Sequence, residues 1–303
     1  MLLTPRGIVW VFHYSQSLCK LWCLVSYRNY AASQSQDVNT GMTMYTYPNA
    51  PYLLPNWPTS GKWDCTDTEQ LYQLNLTRRP PGWDWQDQPV EYTWNSNGYR
   101  APEWEHVAWS TSHVVMGCSY VLGVGVNDAD TLASQMEREL REPVINLGMG
   151  GTGPMAIMYN TLRMQDMDWR PKSVTIIIPE LTRLTYFDQN SVDNLIPWKV
   201  QSQRNTGILY MYEKWLTPPN HADIYGTSLL RGAEAVWLSR GVPVILRHWT
   251  PTTGPGRLAP SLSPLVDCAR DMMPTADGEW FSHAGPKSLS NWAKEIVMSI
   301  RAL

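Results

Sequence analysis

The chain has no run of 18 consecutive apolar residues, which argues against a membrane-spanning helix. It also lacks a Cys/His spacing suited to zinc, because Cys19 and Cys23 have no second pair to complete a site. Five cysteines, at 19, 23, 65, 118 and 268, are an odd number that fits free thiols in a reducing compartment. Charge is scarce, at 17% of residues against about a quarter in ordinary domains. A net charge of -3 and a pI near 6.1 give no electrostatic reason to expect nucleic acid or an anionic membrane as partner. There is no internal repeat, no pattern demanding a metal or cofactor, and no mark of oligomeric state. Residues 8–26 are apolar, follow Arg6 and precede Ala31-Ala32, the outline of a secretory signal. His13, Gln16 and Lys20 interrupt that stretch, so a cytoplasmic protein is the expectation and export the alternative.

What is present is a chain of 303 residues, long enough for one large domain or for a domain with an extension. Tryptophan is abundant, 16 residues, with nine of them before residue 110. The first hundred residues are rich in Pro, Trp, Tyr, Asn and Thr and show little periodicity, and Pro80-Pro81-Gly82 marks a turn. Residues 1–91 therefore read as an irregular aromatic extension, packed on itself or offering stacking surfaces for sugars. From about residue 112 the pattern changes. Residues 114–116, 144–147, 174–178 and 242–246 are short apolar strands. Helices are expected from the Asp130 or Thr131 cap to about Leu140, from Pro154, over 222–239 and over 286–303. Strands alternating with helices make an α/β fold, a three-layer α/β/α sandwich with a mostly parallel sheet over residues 92–303. Residues 187–220 and 250–275 read as long loops.

Chemistry-bearing residues gather where these strands end. Ser119 follows the first strand, a Gly148-Met149-Gly150-Gly151-Thr152-Gly153 loop follows the second, and Asp277 and His283 stand before the last helix. In open α/β sheets the ligand crevice lies outside the carboxyl ends of the strands. A serine hydroxyl needs a base to take its proton, an acid to orient that base, and backbone donors for the oxyanion. The chain offers all of them, in the order Ser, Asp, His.

These blocks resemble the SGNH (GDSL-like) hydrolases, a flavodoxin-like fold. The first block is similar to Gly117-Cys118-Ser119-Tyr120-Val121-Leu122-Gly123, the second to Asn146-Leu147-Gly148-Met149-Gly150-Gly151, the last to the stretch from Asp277 to His283 with Ala284-Gly285-Pro286. The upstream Asn95-Ser96-Asn97-Gly98-Tyr99-Arg100 resembles the lead-in of some bacterial and phage-borne members. The resemblance implies a metal-free serine esterase without cofactor, acting on a small-molecule or carbohydrate ester, O-acetyl groups above all. It assigns Ser119 as nucleophile, His283 as base, and the Ser119 and Gly151 amides to the oxyanion hole.

The chain departs from that pattern in three places. Cys118 replaces the usual Asp; strand alternation points its side chain away from Ser119, against its being the nucleophile. The third-block Asn has no counterpart in Pro179-Glu180-Leu181-Thr182-Arg183, so Thr182 or Arg183 is left to contact substrate or oxyanion. The acid is open between Asp277, preferred for the freedom Gly278 gives its loop, and Asp271. His248 is a possible cleft residue at the end of the fourth strand, and Asn95 and Arg100 read as pins for the lead-in loop. Two other classes stay in view: a non-catalytic carbohydrate-binding module on the same fold, and a dinucleotide-binding protein using the G-x-G-x-x-G of Gly148–Gly153. The second lacks an acid at the end of the next strand about 20 residues on.

Overall fold

Apolar segments with β-branched side chains pair into one parallel sheet. The computed structural model describes residues 53, 67–77, 83, 90–188, 191–195, 210, 212–216, 220–249, 258–271, 273–274 and 280–303. Strands β1 (His113–Gly117), β2 (Val144–Gly148), β3 (Ser173–Ile178) and β6 (Val244–His248) lie in the order β2-β1-β3-β6. The central strand β1 pairs Val115 with Asn146 on one side and with Thr175 on the other. Next to it, β3 pairs Ile176 with Leu246 of β6.

The two-residue period of β1 sorts its side chains between two cores. Val114 and Met116 pack with Ile157, Met164, Leu230 and Trp237, which come from α4 (Pro154–Asp166) and α5 (His221–Ser239). Val115 faces the opposite way, onto Met136, Trp292 and Ile296 of α3 (Leu132–Leu140) and α6 (Pro286–Arg301). With helices on both faces the sheet is the middle of three layers, as the alternation of elements requires. Both fully buried tryptophans keep their indole N–H satisfied. Trp237 donates to Thr161 Oγ1 at 3.2 Å and Trp292 to the Ser263 carbonyl at 2.8 Å.

Local chemistry sets the helix ends. Pro154 and Pro286 stand in the first turn, where a missing N–H costs nothing. The Thr131 side chain caps α3 by accepting from the Ser134 amide at 3.3 Å. Thr131→Ala is expected to cost about 1 kcal/mol, read as a melting-temperature drop of about 2–4 °C in a thermal scan.

The sheet begins and ends close to the expected positions, with one informative shift. The fourth strand starts at Val244 rather than 242, because the Val242 amide is taken by the Trp237 carbonyl and Pro243 has no N–H to donate. The two segments expected to be loops carry structure. Leu184–Asp188 (β4) and Ser191–Leu195 (β5) form an antiparallel hairpin, and Tyr212–Leu216 makes a π-helical turn. In the second segment Ser261 bridges to His248, and Met273–Pro274 (β7) pairs with Trp280–Phe281 (β8). By its contacts the chain divides into Met1–Asn49 and Ala50–Leu303. Residues 67–91, placed by sequence in the extension, fall within the second unit; they include α1 (Glu69–Thr77), and Tyr72 and Trp83 pack there against Cys268.

Candidate active site

Gly117 ends β1 and Cys118 turns the chain into α2 (Ser119–Leu122), a single helical turn closed by Gly123 at φ 81°. Ser119 is the first residue of that turn. Cys118 packs into the core that holds Val115 and Ile177 and is fully buried. The turn sits tightly on its neighbours. A Cβ on Gly148 would fall on the Leu122 amide and within 2.6 Å of the Val121 carbonyl carbon, and one on Gly117 would fall 2.5 Å from Val121 Cγ2. Asn146 fixes this junction from both ends of its amide: Nδ2 donates to the Val121 carbonyl at 3.0 Å and Oδ1 accepts from Gly148 N at 2.9 Å.

Ser119 Oγ lies 2.6 Å from His283 Nε2, and His283 Nδ1 lies 2.5 Å from Asp271 Oδ2. A carboxylate only accepts, so Nδ1–H donates to Asp271 and Nε2 is left to accept from the serine hydroxyl. The three residues are 7%, 5% and 1% exposed, so the whole chain of bonds is buried and its acid lies deepest. Asp277 lies outside the described residues. Asp271, the other carboxylate singled out by sequence, is the one that meets the imidazole.

The pairing of two distant segments explains this meeting. Cys268 forms an antiparallel bridge with Ala284, and Ala269 N donates to the His283 carbonyl at 2.9 Å. The β7–β8 pairing returns the intervening chain, so residues 12 apart in sequence stand side by side. Asp267 clamps the end of the same pairing. Its carboxylate accepts from Lys287 N at 2.9 Å and Ser288 N at 2.8 Å at the start of α6, where the helix dipole favours an anion.

The backbone donors named by sequence also stand at the ends of neighbouring strands, since Gly117 is in register with Gly148. Gly151 has φ 73°, a left-handed conformation that suits glycine. Neither the Ser119 nor the Gly151 amide has an acceptor among the described residues. Thr182 hydrogen-bonds the Tyr212 side chain. Arg183 is 1% exposed and donates from Nε to Glu180 at 3.1 Å. Burial opposes its charge, but Cys118 and Glu180 outweigh that and hold the guanidinium firmly cationic. Of the pair, Arg183 is the one whose charge reaches Cys118 and Tyr120, the residues flanking Ser119.

An aromatic wall borders the base. Tyr120 stacks on the partly exposed Trp249 with centroids 4.3 Å apart, and its ring centroid is 5.0 Å from that of His283. Its hydroxyl donates to the Ser282 carbonyl at 3.1 Å, and burial raises its pKa far above the ordinary phenol value. His248 stands next to Trp249 at the end of β6 and bridges to Ser261.

The lead-in residues hold backbone. Asn95 Oδ1 accepts from the Asn97 and Tyr99 amides at 3.1 and 3.0 Å. Arg100 donates to the carbonyls of Gly123 at 2.6 Å and Val126 at 3.0 Å and pairs with Asp128, fastening the loop that follows α2. Sequence reasoning did not find Arg270, Asp67, Trp83 and Tyr92, which surround the Asp271 segment. Nothing in their local sequence marks them.

No protein-family model matches the chain, and no curated protein does. Among solved structures it is similar to an acetyl xylan esterase from the rumen bacterium Butyrivibrio proteoclasticus, at 13% identity and TM-score 0.38, covering 65% of this chain and 64% of that one. It is similar to a carbohydrate esterase family 2 enzyme with a carbohydrate-binding domain from Corynascus thermopiles (Myceliophthora fergusii), at 11% identity and TM-score 0.32, covering 63% and 66%. A GDSL-like lipase from Bacteroides ovatus gives 12% identity and TM-score 0.30, covering 64% and 54%. The chain thus spans less than two-thirds of the length of each. At these values the likeness assigns no activity to it.

Proposed function

We propose that the protein is an SGNH-type serine esterase whose hydrolase domain occupies residues 92–303. One observation carries this reading: the unbroken line of hydrogen bonds from Ser119 Oγ through His283 to the buried Asp271. Ser119 Oγ attacks the ester carbonyl carbon while its proton passes to His283 Nε2. The carbonyl oxygen becomes an oxyanion, held by the amides of Ser119 and Gly151. The buried Arg183 cation, whose charge is felt at Tyr120 beside the nucleophile, adds positive potential in place of the missing third-block Asn. His283 then returns its proton to the departing alcohol, which leaves Ser119 acylated. A water activated by the same imidazole attacks the acyl carbon, and the carboxylic acid departs with Ser119 restored. Asp271 keeps the imidazole in the required tautomer and stabilises the imidazolium formed in each step.

The substrate class we assign is an O-acetyl ester on carbohydrate. The partly exposed Trp249 supports it, because it stacks on Tyr120, whose ring lies 5.0 Å from that of His283, and such an indole near the base is suited to a sugar ring. The dinucleotide alternative is disfavoured by spacing, because the acid that follows β3, Glu180, stands well past the roughly 20-residue distance at which it would grip the ribose, and it is paired with Arg183.

The test is covalent labelling. A fluorophosphonate is expected to add once, at Ser119, as mapped by mass spectrometry, and acetylated xylo-oligosaccharides are expected to release acetate. A folded protein that takes no label overturns the esterase reading. A melting temperature raised by a nicotinamide dinucleotide would favour the rival class.

A further inference from the structure

The short stretch that carries Asp271 is held in part by residues from the region the sequence assigns to the N-terminal extension, joined by Tyr92 and Gly125. Trp83 Nε1 donates to the Ala269 carbonyl at 3.0 Å. Arg270, 3% exposed, reaches Glu69 from Nη2 at 2.9 Å, approaches Asp67 at 3.4 Å and lies over the Tyr72 ring at 4.1 Å. Asp67 Oδ2 accepts from the Tyr92 hydroxyl at 2.8 Å, and that hydroxyl accepts from Gly125 N at 2.8 Å. Gly125 closes the ring, since its carbonyl accepts from Arg270 N at 3.0 Å and a Cβ there would meet the Arg270 and Asp271 amides. Burial, then the charges of Asp67 and Asp271, raise the pKa of the Tyr92 hydroxyl and keep it a neutral donor.

We infer that Arg270, Asp67 and Tyr92 are positioning residues, which set the orientation of Asp271 against His283 and so make the segments at Asp67 and Tyr92 part of the catalytic apparatus. The inference rests on the esterase reading above. A surface pair of this kind would contribute little, but Arg270 is desolvated and lies next to the acid in the chain. A carboxylate already 2.5 Å from its imidazole has no slack for a peptide shift. Glu69, exposed at the start of α1, tolerates change more readily than Asp67, which is buried.

The experiment compares Arg270→Met and Tyr92→Phe with wild type, each also in an Asp271→Asn background. It follows hydrolysis of p-nitrophenyl acetate and the rate of fluorophosphonate labelling of Ser119, with melting temperatures as the check on folding. Arg270→Met is expected to lower kcat by about 10- to 100-fold with little change in KM, the size of effect that misplacing a catalytic group produces. Arg270→Lys, which keeps the cation, is expected to recover part of that loss. Neither Arg270→Met nor Tyr92→Phe should reduce kcat further once Asp271 is Asn, because their effect acts through the carboxylate. The far-downfield proton resonance of the His283–Asp271 hydrogen bond should weaken in Arg270→Met. An equal loss in both backgrounds, or wild-type rates with a lowered melting temperature, would show a structural role only and overturn the inference. Tyr92→Phe decides the matter if Arg270→Met fails to fold, since it keeps the ring and removes one hydroxyl. If Asp271→Asn itself hydrolyses and labels like wild type, or if wild type does neither, the esterase reading fails first.

Discussion

Ser119→Ala is expected to lower kcat for ester hydrolysis by about a millionfold, the order of loss seen when a triad nucleophile is removed. In the proposed mechanism only the Oγ attacks and is acylated, and no neighbouring group substitutes for it; Cys118, the nearest thiol in sequence, is fully buried in the core. The melting temperature should stay within about 2 °C of wild type, because alanine suits the first residue of a helical turn. Asp271→Asn is the graded companion. An amide in place of the carboxylate keeps the shape, but it stabilises the wrong imidazole tautomer and cannot balance an imidazolium, so a loss of about 10⁴-fold in kcat is expected. Asp277→Asn should leave kcat near wild type. Steady-state rates on p-nitrophenyl acetate decide between the two acids, and a loss confined to Asp277→Asn would sink the assignment to Asp271.

Gly148→Ala is expected to produce a large loss of stability from a single added methyl. Its Cβ would land on the Leu122 amide and 2.6 Å from the Val121 carbonyl carbon, which are backbone atoms of the turn carrying Ser119. No side-chain rotation relieves that clash. Either β2 moves off β1, or the turn lifts and Ser119 leaves His283. Overpacking of this kind costs about 3 kcal/mol or more, a fall in melting temperature of about 6–12 °C, and hydrolysis should fall with it. Gly232→Ala makes the contrast. That glycine lies within α5, and a Cβ there meets only the flexible end of Met158 at 3.4 Å. Helix propensity should then raise stability by up to about 1 kcal/mol. Thermal scans of the two variants test the packing argument, and equal melting temperatures would refute it.

Strand and helix order was legible because each element repeats one local rule. The run at 174–178 is apolar on both sides because β3 is covered on both faces, and the spacing of Leu289, Trp292 and Ile296 put one stripe of α6 on the core. The hairpin of β4 and β5 was not legible, since Leu184–Asp188 and Ser191–Leu195 carry polar residues without clean alternation and are defined by pairing with each other. Ser119 and His283 drew notice as residues at an apolar segment's end and ahead of a helix, both local patterns. The acid drew an ambiguous reading for a physical reason. The freedom that Gly278 gives its loop favoured Asp277, whereas position opposite His283 depends on the Cys268–Ala284 bridge and the β7–β8 return.

By itself, then, the sequence determined the α/β/α layering, the strand ends where chemistry would gather, and the serine and histidine to examine there, all through patterns a few residues long. Tertiary structure alone decided which carboxylate meets the histidine and which residues hold it. Trp83 reaches the Ala269 carbonyl across 186 positions of chain, and Arg270 reaches Glu69 across 201. A contact between segments so far apart leaves no period or spacing in either. It exists only once the sheet, its helices and the residues at 67–77, 83 and 90–94 are packed together.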